Sequence, residues 1–211
     1  GSDYLGTGRF ESLYCPESEI VYFDRAEVPV SSTEIREWAT AHWEYIPEVC
    51  RDHYVRKVLV DGGESTGKST LVENLALAYN TNFVREIGRD TCEYAGGEEF
   101  MVEDDLVENF IRQKDEVRRA ARHSNRLLFV DTDALNEWDL VLFLDPDGTD
   151  FVQDGTRNED IMRERRRYSD LLKAWFDRHG VSCEIISGDY LDRFNTAKKL
   201  IEERLAIATV F

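Results

Sequence analysis

Eight consecutive residues, Gly62-Gly63-Glu64-Ser65-Thr66-Gly67-Lys68-Ser69, carry the spacing Gly-x-x-x-x-Gly-Lys-Ser/Thr. That spacing suits the binding of a polyphosphate. The glycines let the main chain approach the phosphates, and loop N–H groups together with a helix N-terminus point at the anion. Lys68 would reach the β- and γ-phosphates of ATP, and Ser69 would hold Mg²⁺. Gly62, Gly63, Glu64, Ser65, Thr66, Gly67, Lys68, Ser69 and Thr70 are therefore the expected ATP-binding loop. Further along, the apolar run Arg126–Asp131 ends in an acid, so Asp131 would help hold Mg²⁺ through water, with Asp133 just beyond it for metal or substrate. In Arg85-Glu86-Ile87-Gly88-Arg89 a carboxylate follows another short apolar run. Glu86 there could take the proton of a substrate hydroxyl, with Arg89 stabilising the transferred phosphoryl group or orienting the acid; a surface ion pair is the plainer alternative.

Two more segments complete the set. Asp154-Gly155-Thr156-Arg157, with Arg163, Arg165, Arg166 and Arg167, is a basic island in an acidic chain. Arginines on a mobile segment would form a lid over phosphates, while a solvated helix face accounts for some of them. Ser187-Gly188-Asp189-Tyr190-Leu191-Asp192-Arg193 would seat a nucleotide base, with Tyr190 and Arg193 as contacts, or else is a loop and a helix cap.

These residues need a scaffold, and the pattern of apolar runs supplies one. Candidate strands are Lys57–Asp61, Asn82–Arg85, Arg126–Asp131, Asp139–Asp145 and Ser182–Ser187. A helix is expected over Ser69–Asn80, with Leu71, Leu75 and Leu77 on its apolar side. Val102, Leu106, Phe110, Val117 and Ala121 mark a second helix. Ile161, Tyr168, Leu172, Trp175 and Phe176 mark a third, ending before Gly180, and Leu191, Phe194, Ala197, Ile201 and Leu205 the last. Strands alternating with helices imply an α/β fold, a parallel sheet with helices on both faces. Only Thr132–Trp138 separate two of the strands, which is short for a parallel crossover. This spacing predicts that a segment of the natural chain is absent near Asn136/Glu137.

Composition narrows the classes. The 43 acidic and 26 basic residues among 211 give a net charge of −17, which disfavours nucleic acid or an anionic membrane as partner. Cys15, Cys50, Cys92 and Cys183 form no Cys-x-x-Cys pair, so neither a zinc site nor a disulfide framework is expected, and reduced thiols fit a cytoplasmic setting. His42, His53, His123 and His179 lack metal-ligand spacing. No apolar run reaches the length of a membrane span, and Gly1-Ser2-Asp3-Tyr4 does not read as a signal peptide. The guanine-reading motif Asn-Lys-x-Asp is absent, which disfavours a GTPase.

Residues 1–56 read differently. Glu19–Phe23 resembles a strand, and Pro29–Arg36 opens a helix with serine or threonine as cap. Ser32, Thr33 and Arg36 at that helix start would suit a phosphate, although capping alone explains the hydroxyls.

Taken together, the chain resembles the nicotinamide riboside kinase domain of the NadR proteins from about Lys57 to Leu205. The resemblance rests on Gly-Gly-Glu-Ser-Thr-Gly-Lys-Ser-Thr at 62–70, Glu-Ile-Gly-Arg at 86–89, Phe-Val-Asp-Thr-Asp at 129–133, Asp-Gly-Thr-Arg at 154–157 and Tyr-Leu-Asp-Arg-Phe-Asn at 190–195. Val30–Arg36 is similar to the triphosphate motif of the nucleotidyltransferase domain that precedes the kinase in this family. The His-x-Gly-His signature of that domain is missing, and about 55 residues cannot build it whole. Arg85 stands where the family has an aromatic residue.

The resemblance implies a P-loop kinase-like domain over 57–211, preceded over 1–56 by the C-terminal part of a Rossmann-like nicotinamide mononucleotide adenylyltransferase. Adenylyl transfer is not expected of this chain alone. The implied reaction is phosphorylation of nicotinamide riboside by ATP and Mg²⁺, in NAD salvage. Lys68, Glu86, Arg89 and Asp131 would be catalytic, Arg157, Tyr190 and Arg193 would bind ATP beside the loop, and Glu86, Asp131, Asp133 and Asp154 would bind substrate. Glu86, or failing it Asp131, would take the hydroxyl proton. Nicotinamide mononucleotide or NAD could also bind, and a homo-oligomer is compatible with all of this. The alternatives are a kinase for another nucleoside, or a regulator that senses ATP or NAD without turnover.

Overall fold

A computed structural model describes residues 13–14, 16–19, 21, 24, 26–96, 100–132, 137–149 and 159–209. By packing, the chain divides into Gly1–Pro47 and Glu48–Phe211. In the first unit the helix α1 spans Ser32–Glu37. Ser31 caps it: its Oγ accepts the Glu34 N–H at 3.1 Å, and the Glu34 carboxylate accepts the Ser31 N–H at 2.6 Å. This reciprocal box satisfies two N–H groups that a helix start leaves without partners. The expected strand at Glu19–Phe23 falls largely outside the described residues.

The second unit is built on five parallel strands, β1 Arg56–Gly62, β2 Phe83–Val84, β3 Leu127–Asp131, β4 Leu140–Leu144 and β5 Glu184–Ile186, in the order β2-β3-β1-β4-β5. All five expected strands are present, with β2 reduced to two residues. The helices are α2 Lys68–Ala78, α3 Ile87–Ala95, α4 Glu103–His123, α5 Glu159–Arg178 and α6 Tyr190–Leu205. Central β1, β3 and β4 are apolar because both of their faces are covered. Val58, Val60, Leu127 and Phe129 pack with Leu71, Leu75 and Val72 of α2 and with Ala197 and Ile201 of α6. On the opposite face Leu59, Val141 and Phe143 pack with Phe176 of α5.

Some sequence-based assignments of the apolar faces need correction. Leu77 is 73 % exposed, and the buried face of α2 is Leu71, Val72, Leu75 and Ala76. At 3.6 residues per turn, position 77 lies far round the helix from 75, whereas 72 and 76 flank the stripe. In α4 the C-terminal half buries Val117 and Ala121, but Val102, Leu106 and Phe110 are exposed. A helix of 21 residues is about 30 Å long, and it meets α3 through polar contacts, Asn109 with Thr91 and Gln113 with Ile87. Tyr168 and Leu191 are likewise exposed.

The short crossover has a geometric explanation. Asp131 pairs with Val60, and Leu140 with Val58, on either side of β1. The chain therefore descends only about 7 Å and crosses two strand spacings, about 10 Å. Nine residue steps reach about 30 Å when extended, so this stagger removes the need for a helix in between. Asn136 itself, where a segment was expected to be absent, lies outside the described residues.

Gly62 is the tightest point of the scaffold. Its φ is +146°, and a Cβ there would lie 2.5 Å from the Leu144 carbonyl oxygen of the neighbouring strand. Gly62→Ala should cost about 3 kcal/mol through combined strain and overpacking. Urea unfolding checks this, and a loss under about 1 kcal/mol would contradict the packing.

Candidate active site

In an open parallel sheet, ligands bind at the carboxyl ends of the strands. There β1 runs directly into the glycine loop, and Gly67, with φ +83°, serves as the cap of α2. The left-handed conformation aims the first N–H groups of α2 into the loop, which is why glycine stands there. Lys68 Nζ donates to the carbonyl oxygens of Gly62 at 3.0 Å and Gly63 at 3.1 Å, so the ammonium lies across the loop mouth. Thr66 Oγ1 donates to the Gly63 oxygen at 2.8 Å and braces the turn.

The acid at the end of β3 meets the helix after the loop. Ser69 Oγ donates to Asp131 Oδ2 at 2.5 Å, and Asp131 is 2 % exposed. A hydroxyl and a carboxylate held together are hard oxygen donors of the kind Mg²⁺ takes beside a polyphosphate. On the β2 side, Glu86 precedes α3 and faces Arg89 at 3.7 Å. The start of α3 is fixed by Gln113 of α4, whose Oε1 accepts the Ile87 N–H at 3.1 Å. Arg85 turns away, to Glu73 at 2.8 Å and over the Phe83 ring.

Across the sheet from β2, two loops close against the glycine loop. Tyr190 packs on it so closely that a Cβ at Gly67 would meet the ring at 2.7 Å. Gly148 lies against the Gly188 backbone, where an added Cβ would come within 2.6 Å. Arg193, only 1 % exposed, ties these parts together. Its guanidinium donates to the carbonyls of Thr66 and Gly188, to Asp145 at 2.6 Å and to Asp147 at 2.9 Å. Burial, together with nearby Arg165, pulls its pKa down from the ordinary arginine range. Arg193 thus sits behind the loop, with its donors directed to main-chain carbonyls rather than toward an open groove.

Arg165, one of the island arginines, performs a parallel task from α5. Its Nη2 donates to Ser65 O at 2.9 Å and Thr149 Oγ1 at 2.8 Å. Arg166 pairs with Asp145 and Asp147, and Arg167 with Glu164 at 2.6 Å. Burial raises the Asp145 pKa, but hydrogen bonds from Lys173, the Asp147 N–H and Arg166 outweigh it, so the carboxyl lies below its ordinary range. Asp133, Asp154 and Arg157 lie outside the described residues, so of the arginines expected in a lid only Arg165, Arg166 and Arg167 are placed, on α5. In the first unit Thr33 Oγ1 accepts from Arg36 at 3.5 Å, which brings two of the three expected phosphate residues together; Ser32 is at the helix start beside them.

Three groups at the site were not foreseen from sequence. Asp61 is a carboxylate inside an apolar strand, which is itself a signal. Gln113 occupies a helix position three and four residues from Phe110 and Val117, where an apolar residue would be expected. The loop-bracing role of Arg165 had no signal separating it from its neighbours. Among the described residues there is no cluster of metal-binding type, Cys50, Cys92 and Cys183 are free, and no helix is long and apolar enough to cross a membrane.

Comparison with known proteins places this geometry in context. A family model described as an AAA domain matches residues 57–138 and 134–193, two stretches that meet at the short crossover. The trifunctional NAD biosynthesis/regulator protein NadR of Salmonella typhimurium is 28 % identical over 90 % of the chain, which covers 52 % of that protein. The chain thus spans about half the length of the curated relatives it matches. A crystal structure of NadR protein in complex with NR superposes with a TM-score of 0.78 at 25 % identity, covering 92 % of this chain and 63 % of the other. A second, of NadR protein in complex with NAD and AMP-PNP, gives a TM-score of 0.73 at 23 % identity over 90 % of this chain and 60 % of the other.

Proposed function

The chain belongs to the AAA domain family and is homologous to NadR, and from that premise we propose that it phosphorylates nicotinamide riboside at its 5′-hydroxyl, with ATP as donor. The observation that carries this reading is the conjunction at one sheet edge of the Lys68 loop, the Ser69–Asp131 pair and the Glu86–Arg89 pair. Phosphoryl transfer asks mainly for positioning and for charges aimed at the moving group. The loop from Gly62 to Thr70 holds the phosphates, and Tyr190 seats the base side of the nucleotide. Ser69 and Asp131 would hold Mg²⁺, which neutralises phosphate charge when bound. Glu86 binds the acceptor hydroxyl and Arg89 stabilises charge on the phosphoryl group, joined by Arg157. Asp133 and Asp154 complete the substrate side of the proposal. Arg193 supports ATP binding through the loop it clamps.

The domain reading, 1–56 as the end of an adenylyltransferase and 57–211 as the kinase, belongs to the same proposal, as do Ser32, Thr33 and Arg36 as its former triphosphate contacts, NAD or nicotinamide mononucleotide as further ligands, and a cytoplasmic location. A test is direct. Glu86→Gln should lower kcat/KM for the riboside by about 10²-fold while the affinity for a fluorescent ATP analogue stays within about threefold. Unchanged kcat/KM would remove Glu86 from the site. A panel of nucleosides separates the riboside reading from a kinase of other specificity.

A further inference from the structure

The helix that carries the Glu86–Arg89 pair is not held by apolar packing. No residue of α3 is buried, so no core contact fixes where the two side chains point. Its cap is unusual as well. A helix start leaves N–H groups without partners, and the residue just before the first turn commonly supplies a side-chain oxygen to one of them. Glu86 stands at that place, in extended backbone with φ −65° and ψ 110°, yet its carboxylate makes no cap bond. It faces Arg89 at 3.7 Å.

The missing cap comes from the neighbouring helix. Gln113 of α4 turns its Oε1 to the Ile87 N–H, which donates at 3.1 Å. That N–H belongs to the peptide unit joining Glu86 to Ile87. The bond therefore holds the backbone on which the Glu86 side chain is mounted. One turn away, Asn109 Oδ1 accepts from the Thr91 hydroxyl at 2.5 Å. Residues four apart share one face of a helix. Two amides of α4 thus meet two residues of α3 in a short polar ladder.

Packing alone does not account for an amide at position 113. Gln113 is 7 % exposed and shares the buried stripe of α4 with Val117 and Ala121. The Ile87 N–H can only donate, so the amide oxygen must face it. The other end, Nε2, is buried and finds no partner among the described residues. A buried donor left without a partner costs stability, and an apolar residue would avoid that cost. An apolar residue could not cap α3. We propose that Gln113 is a positioning residue for the reaction: by capping α3 from α4 it fixes the Glu86 backbone and leaves the Glu86 carboxylate for the acceptor hydroxyl.

This inference rests on the kinase reading, and its test separates the two. Gln113→Met keeps most of the volume and removes the acceptor of the Ile87 N–H. It should lower kcat/KM for nicotinamide riboside by about tenfold, with affinity for the fluorescent ATP analogue within about threefold of the parent. The deciding readout is a double-mutant cycle. Because Gln113 acts through Glu86, adding Gln113→Met to Glu86→Gln should cost less than about twofold more. A tenfold loss that persists in the Glu86→Gln background overturns the proposal, since a merely structural role is blind to residue 86. An equal loss of ATP affinity, or a single variant whose kcat/KM is unchanged, overturns it too. If Gln113→Met does not melt cooperatively, Gln113→Asn takes its place in the same cycle. Asparagine keeps the amide but is one methylene too short to reach the Ile87 N–H. Failure of the kinase reading is seen elsewhere, in unaltered protein that phosphorylates no nucleoside, and it takes this inference with it.

Discussion

Lys68→Ala lowers kcat/KM for ATP by at least about 10³-fold, the scale on which a single charge aimed at a transferring phosphoryl group acts. The reason is local. Lys68 Nζ lies across the loop mouth between the Gly62 and Gly63 carbonyls, and a polyphosphate seated there takes over those two hydrogen bonds. Alanine leaves the helix start intact and removes a partly exposed contact, so the melting temperature should move by only a few degrees. Steady-state kinetics with a melting curve separates loss of chemistry from loss of fold. Near-normal turnover would show that this loop does not hold the donor.

The second large effect is on the scaffold behind the loop. Arg193→Met keeps most of the side-chain volume but leaves the carbonyls of Thr66, Asp145, Asp147 and Gly188 without their donor. Buried acceptors that lose a partner cost about 1–3 kcal/mol each before relaxation. After water entry and loop movement a net loss of about 3–5 kcal/mol is expected, in line with breaking other buried charged contacts. The same guanidinium bridges the phosphate loop and the loops at Asp147 and Gly188, so ATP affinity should fall at least about tenfold. Urea unfolding and titration with the fluorescent ATP analogue measure both. A variant that loses under 1 kcal/mol would mean that the loops hold together without the clamp.

Much of this was legible in the sequence, and the reasons differ by element. The strands at β1, β3 and β4 stood out because burial on both faces leaves short, nearly unbroken apolar runs. The phosphate loop stood out because glycine, lysine and serine are each required at fixed spacing. The Ser69–Asp131 pairing followed from an acid at a strand end, and the 2.5 Å contact places the two side by side. Leu77 and the first half of α4 misled because a periodic apolar stripe says which face could pack, not whether a neighbour reaches it. Arg193 read as a ligand contact because its segment follows the last strand at the ligand end of the sheet, and nothing in Asp-Arg-Phe indicates that four carbonyls would surround it. Asp61 stood only as the last residue of a candidate strand, and its burial depends on partners distant in sequence.

The most direct measurement incubates the purified chain with ATP, Mg²⁺ and nicotinamide riboside and reads products by mass spectrometry. The account predicts nicotinamide mononucleotide and ADP in equal amounts, both absent when Lys68 is alanine. Binding of NAD or ATP with no ADP and no mononucleotide formed would contradict it and favour a nucleotide sensor instead.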